Sequence, residues 1–259
     1  MQNGYKIIDV HNHIFPGKIM HKAVESIGHF YSTSMEGAGS AEDLLLSGAK
    51  IGVSRYVVHS AATTPGQVRH INDFIYEQAA SHPEFIGFAT LHPFMEGLEE
   101  EVERVLALGF KGVKLHSDFQ QFNLDDPRAM GLYEAIEGRM VLLLHMGDKT
   151  KDFSAPRRLV PVLERFPRLQ VIAAHFGGYN AWAESKRHLV GRQVYFDTSS
   201  SLFKLSPQEA VDMMRAHGMD KMLYGTDYPM WTHEEELSRF LALDLTEEER
   251  NMVFYGNAA

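Results

Sequence analysis

Residues 140–145 read Met-Val-Leu-Leu-Leu-His, five apolar residues ending on a histidine. The run is short and has no alternating polar face, the pattern of a parallel strand buried on both sides. Working outward, Gln170-Val-Ile-Ala-Ala-His175 repeats the pattern, and Gly112-Val-Lys-Leu-His116 and Arg55-Tyr-Val-Val-His59 are variants of it. Lys6-Ile-Ile-Asp-Val10 runs straight into His11, and apolar runs at 85–90, 193–197 and 221–226 bring the strands to eight.

Amphipathic stretches separate these runs, at 66–81, 97–108, 128–137, 157–166, 180–188, 208–217 and 234–242. Ser40-Ala-Glu-Asp43 has the form of a helix start. Pro65, Pro127, Pro156 and Pro207 stand where first helical turns belong, and Gly109, Gly138 and Gly218 near helix ends. Residues 246–256 read as a closing C-terminal helix. Eight strands alternating with helices give an α/β fold, a single (β/α)8 TIM barrel in one domain over residues 1–259. An open doubly wound sheet would want a glycine-rich turn after strand 1, where His11-Asn-His13 stands instead. Residues 14–39 form a long, glycine-containing, irregular connection, expected to be a lid loop.

With 25 Lys and Arg against 34 Asp and Glu, the formal charge of −9 lacks the electrostatic footprint of a nucleic-acid binder. No apolar run approaches the ~20 residues of a membrane span, and the N-terminus has no apolar signal region. A cytoplasmic enzyme acting on a small molecule, with no nucleic-acid or membrane partner, is the expectation; a homo-oligomer is left open. The absence of cysteine excludes disulfides, thiolate zinc sites, iron–sulfur clusters and a cysteine nucleophile. Any transition-metal site must use imidazole and carboxylate, which suit zinc, manganese, iron or nickel.

Seven of the 14 histidines fall at or just past strand ends: His11, His13, His59, His92, His116, His145 and His175. The C-terminal face of a barrel is where catalytic groups project. One histidine at a strand end is more often structural; seven in so small a share of the chain exceed chance placement. His11 and His13 are two apart, so both point to one face, with Asp9 beneath them as an acceptor. His145 ends strand 5, and Asp227 ends strand 8 in Tyr224-Gly-Thr-Asp-Tyr-Pro229. Three imidazoles and a carboxylate from strands 1, 5 and 8 would hold a divalent cation with room for water, leaving His175 to handle protons. The other seven histidines are expected at the surface, with His21 and His29 on the lid.

Asp9-Val-His-Asn-His-Ile-Phe-Pro16 resembles the strand 1 signature of the amidohydrolase superfamily, in the branch of the aminocarboxymuconate-semialdehyde decarboxylase-like proteins. Gly109-Phe-Lys-Gly-Val-Lys-Leu-His116, Leu144-His-Met-Gly-Asp148, Ala174-His-Phe-Gly-Gly178, Tyr224-Gly-Thr-Asp-Tyr-Pro229 and Tyr255-Gly-Asn-Ala-Ala259 are similar to that branch as well, so the resemblance spans the chain. It implies one divalent metal, usually zinc, at His11, His13, His145 and Asp227, with His175 orienting or activating metal-bound water. A second metal would follow if Lys114 were carbamylated, and His175 would then become a ligand.

Hydrolysis of a small, carboxylate-bearing amide, lactone or ester is the leading expectation, with Asp227 or His175 as general base. Non-oxidative decarboxylation, with the same metal and His175 delivering a proton to carbon, is the alternative. A non-catalytic binding protein on the same scaffold is disfavoured by the retention of every expected ligand. Lys114, His116, His59, Phe15 and Tyr228 are the candidate substrate-binding residues, with Lys114 and His116 suited to an anionic group.

Overall fold

The computed structural model describes residues 4–259. Eight strands, β1 (Ile7–His13), β2 (Val53–His59), β3 (Phe85–Thr90), β4 (Gly112–Leu115), β5 (Val141–Leu144), β6 (Val171–Ala173), β7 (Tyr195–Asp197) and β8 (Met222–Leu223), form one sheet in sequence order. The pairings from β3 through β7 are parallel. This is the (β/α)8 barrel.

The intervening helices are α1 (Met20–Tyr31), α2 (Ala41–Ala49), α3 (Val68–Ser81), α4 (Leu98–Ala107), α5 (Ser117–Gln120), α6 (Met130–Ile136), α7 (Pro156–Arg165), α8 (Trp182–His188), α9 (Pro207–His217), α10 (His233–Leu241) and α11 (Glu247–Asn251). Their ends follow the local chemistry expected of them. Ser40 Oγ accepts the Asp43 N–H, and Ser206, Thr232 and Thr246 form capping boxes with Glu209, Glu235 and Glu249. Gly109, Gly138 and Gly218 all adopt positive φ just past helices.

The structure changes two expectations. The 14–39 connection is not irregular throughout, because α1 occupies Met20–Tyr31 within it. Its tip is held by contact: a side chain at Gly37 would meet the Tyr228 ring at 2.4 Å, and the Tyr228 hydroxyl accepts the Gly39 N–H. Two histidines expected at the surface are buried, His217 on α9 and His233 on α10.

The chain divides into two compact units, one of Met1–Val58, His82–Phe85 and Asp197–Ala259, the other of His59–Ser81 and Ile86–Phe196. In the first, the chain after β8 runs alongside β1: Val10 N–H donates to Tyr224, Asp227 N–H to His11, and His13 N–H to Tyr228. Beneath them the C-terminal turn Met252–Gly256 inserts Phe254 against Tyr5, Tyr224 and Phe240. In the second unit, β4 and β5 are paired over four residues each, and Val113, Leu115, Leu142, Leu143 and Leu144 are fully buried. No helix of the described residues is long and apolar enough to cross a membrane.

Candidate metal and catalytic centre

In the first unit, β1 continues to His13, so His11 and His13 leave the strand on one face while Asn12 turns to the other. Asn12 is fixed there by donating to the carbonyls of Asp9 and Val57. The rings of His11 and His13 lie 5.3 Å apart, and both Nε2 atoms are 3.4 Å from Asp227 Oδ1. Asp227 has φ of 62°, a left-handed conformation that a non-glycine residue keeps only when its surroundings hold it. The bonds from Asp227 N–H to His11 and from His13 N–H to Tyr228 supply that hold.

The protons in this cluster can be assigned. Asp197 Oδ2 lies 2.9 Å from His11 Nδ1, and an ionised carboxylate only accepts, so Nδ1 carries the hydrogen. In a neutral ring that leaves a bare lone pair on Nε2, facing the Asp227 oxygen. Two lone-pair atoms facing each other at 3.4 Å repel unless a proton or a metal ion lies between them. Ligand bonds of about 2.0–2.2 Å in a four-coordinate site separate neighbouring donors by about 3.3–3.6 Å, so the observed spacing fits a divalent ion.

Asp9 plays a different part from the one expected of it. Its Oδ1 accepts the backbone N–H groups of His11 and Thr226, and its Oδ2 accepts the Thr226 hydroxyl. It therefore clamps the backbone of β1 to that of the Asp227 segment rather than supporting the His11 or His13 ring. Buried His233 sits below, with Nε2 3.1 Å from Asp9 Oδ2 and Nδ1 2.8 Å from Ser47 Oγ.

In the second unit, His116, Asp118 and His145 bring ligand atoms within 4.8 Å of one another. His145 Nε2 donates to the Gly147 carbonyl at 2.8 Å, which leaves Nδ1 bare and 3.0 Å from His175 Nε2. His175 has φ of 62° and Phe176 of 54°, so this strand end is also wound into the left-handed region. Gly147 is required to be glycine, because at φ of 78° a Cβ would lie 2.7 Å from the backbone of Gly178 and Tyr179. The His116 ring stacks between Phe119 at 3.7 Å and His145 at 3.9 Å, nearly parallel to both. Burial pushes the Asp118 carboxyl up to about 6, against the hydrogen bond it accepts from Ser154.

The substrate-binding candidates fall in both units. Lys114 and His59 are fully buried, and His116 nearly so. The Phe15 ring stacks against His13 at 6.4 Å. The Tyr228 hydroxyl is already engaged, donating to Asp43 and accepting from Gly39. Asp197 is a functional residue that the sequence pattern did not single out; a carboxylate at the end of β7, followed by Thr-Ser-Ser-Ser, was the available signal.

The barrel, with histidine–carboxylate clusters at its strand ends, defines the class: a (β/α)8 enzyme built around imidazole and carboxylate donors. Within that class, the chain belongs to the amidohydrolase family, whose model matches residues 8–259. It is 30% identical over 120 residues to the decarboxylase orsB of Emericella nidulans, a match spanning 38% of this chain and 35% of that protein. It is 25% identical over 248 residues to the gamma-resorcylate decarboxylase of a Polaromonas species, covering 73% of this chain and 74% of that one. Among solved structures, a dihydroxybenzoic acid decarboxylase from Polaromonas, with bound manganese and the inhibitor 2-nitroresorcinol, superposes with a TM-score of 0.74 at 18% identity, over 98% of this chain and 96% of that one. The hydrolysis expected from the sequence is overturned here, since both curated relatives are named decarboxylases.

Proposed function

We propose that the protein is a metal-dependent, non-oxidative decarboxylase of a small aromatic acid of the hydroxybenzoate type. The observation that carries the metal part is the pair of imidazole Nε2 atoms facing one Asp227 oxygen at 3.4 Å, with His11 held in the tautomer that offers Nε2. His11, His13 and Asp227 are three of the four ligands that the sequence resemblance implies. The imidazole–carboxylate set suits manganese or zinc; the related Polaromonas structure holds manganese. Held there, a divalent cation would supply positive charge to bind an anionic substrate.

The remaining chemistry belongs to side chains. His175 Nε2–H, now donating to the bare His145 Nδ1, is the proton source. It protonates the ring carbon that carries the carboxylate. The bond from that carbon to the carboxylate then breaks, its electron pair restores the aromatic ring, and carbon dioxide leaves. His175 regains its proton from water, so no oxidant is consumed. The flat stack of Phe119, His116 and His145 suits an aromatic substrate, and the Lys114 ammonium would pair with its anionic group.

Carbon dioxide release from a panel of hydroxybenzoates, with the Mn2+-loaded chain, tests this reading. Stoichiometric carbon dioxide and the matching phenol are expected. A panel in which no acid loses carbon dioxide while the chain holds its metal would overturn it.

A further inference from the structure

β7 donates no metal ligand in the site proposed above, yet its end is built as a support for two of them. Asp197, Ser199 and Ser200 are fully buried. Asp197 Oδ2 takes the His11 Nδ1–H at 2.9 Å. Its other oxygen accepts the Ser199 N–H at 3.1 Å and the Ser199 hydroxyl at 2.5 Å, so the carboxylate cannot rotate without breaking three bonds. Ser199 Oγ also lies 3.1 Å from His11 Nδ1. One residue on, the Ser200 hydroxyl donates to Asp227 Oδ2 at 2.5 Å and accepts from Trp231 Nε1–H at 3.0 Å. Ser200 holds a φ of 45°, a left-handed turn that carries consecutive residues to different targets.

We infer that Asp197 and Ser200 are positioning residues that decide which atoms His11 and Asp227 present: Nε2 of the imidazole and Oδ1 of the carboxylate. The physical basis is acceptor and donor matching. A carboxylate at Nδ1 fixes the Nδ1–H tautomer and raises the basicity of Nε2. A hydroxyl donated to Oδ2, strengthened by the indole N–H behind it, occupies one Asp227 oxygen and leaves the other facing the imidazoles. Gly225 allows the approach, since a side chain there would meet His11 Cβ at 3.1 Å, Ser199 Cβ at 3.4 Å and Asp197 Cβ at 3.5 Å. The inference rests on the proposed metal site, and one of its two readouts needs no metal.

In the metal-free chain, two-bond 1H–15N spectra of the histidine rings, with His11 assigned through His11→Gln, are expected to show the Nδ1–H tautomer. Asp197→Asn, which keeps shape and loses the charge, is expected to let the Nε2–H tautomer appear. It should also weaken Mn2+ binding about 10- to 100-fold, and Ser200→Ala about tenfold with the His11 tautomer unchanged. Should Asp197→Asn fail to fold, the wild-type tautomer and Ser200→Ala still decide the matter. A wild-type His11 in the Nε2–H form, or both variants binding Mn2+ within twofold of the wild type, would overturn the inference. A folded wild-type chain that binds no Mn2+ overturns the metal reading instead, and the tautomer then judges the Asp197–His11 contact by itself.

Discussion

His175 Nε2 stands 3.0 Å from His145 Nδ1, and the Gly147 carbonyl behind His145 dictates which of the two nitrogens carries the proton. This relationship separates the two histidines by role: one offers a lone pair and the other a hydrogen. His175→Gln should therefore lower kcat for carbon dioxide release by about 10²–10⁴, the usual contribution of a positioned general acid. Mn2+ affinity, read by calorimetry, should change by less than threefold. A large loss of metal affinity would make His175 a ligand.

Metal removal has a separate signature. Treatment with a chelator should abolish carbon dioxide release, and Mn2+ should restore it. Because an ion bound only by the folded state stabilises it, Mn2+ at 100 times its Kd should add about 2.7 kcal/mol. The accompanying rise in Tm should vanish in Asp227→Asn, which loses the oxygen shared by His11 and His13.

Glu236 gives a pH dependence whose sign can be worked out. Burial pushes its carboxyl up to about 8, against the opposing pull of Arg239. The unfolded chain releases this proton near 4.5 and the folded chain near 8, so between these values the folded state binds more protons. Stability should therefore fall as pH rises from about 4.5 to 8, by up to about 1.4 kcal/mol per pH unit from this group. Urea unfolding of the metal-free chain should show the slope reduced in Glu236→Gln.

Gly147→Ala should destabilise the protein by about 2 kcal/mol or more, because alanine at φ of 78° is strained and its methyl meets the Gly178 and Tyr179 backbone. Urea unfolding measures it directly. A neutral result would mean that the loop after β5 relaxes freely.

Much of the barrel was legible because its signals are local. The run at 140–145 becomes β5 at Val141–Leu144, and the stretch at 208–217 becomes α9 at Pro207–His217, since apolar periodicity, proline and caps act within a few residues. The helix inside the 14–39 connection is hard to see because those signals weaken there: its N-cap Ile19 makes no side-chain cap, and its first turn has no acidic residue. His217 and His233 were misplaced for a related reason. A histidine inside an amphipathic helix gives no sign of whether a partner waits beneath it, and the partners of His233, Ser47 and Asp9, lie far away in sequence.

The sequence by itself determined which donor atoms exist: no sulfur, many imidazoles at strand ends, and two histidines on one face of β1, because strand periodicity is a property of the covalent chain. The reaction was not written there, and the preference for hydrolysis gave way to the decarboxylase relatives. Only the tertiary structure decided how each donor is oriented. A ring nitrogen is a ligand or a proton carrier according to what faces its other nitrogen. For His11 that partner is Asp197, 186 residues away, and for His145 it is a nearby carbonyl whose placement needs a left-handed glycine. Hydrogen-bond partners at such separations are set by how the strands assemble, and no local pattern encodes them.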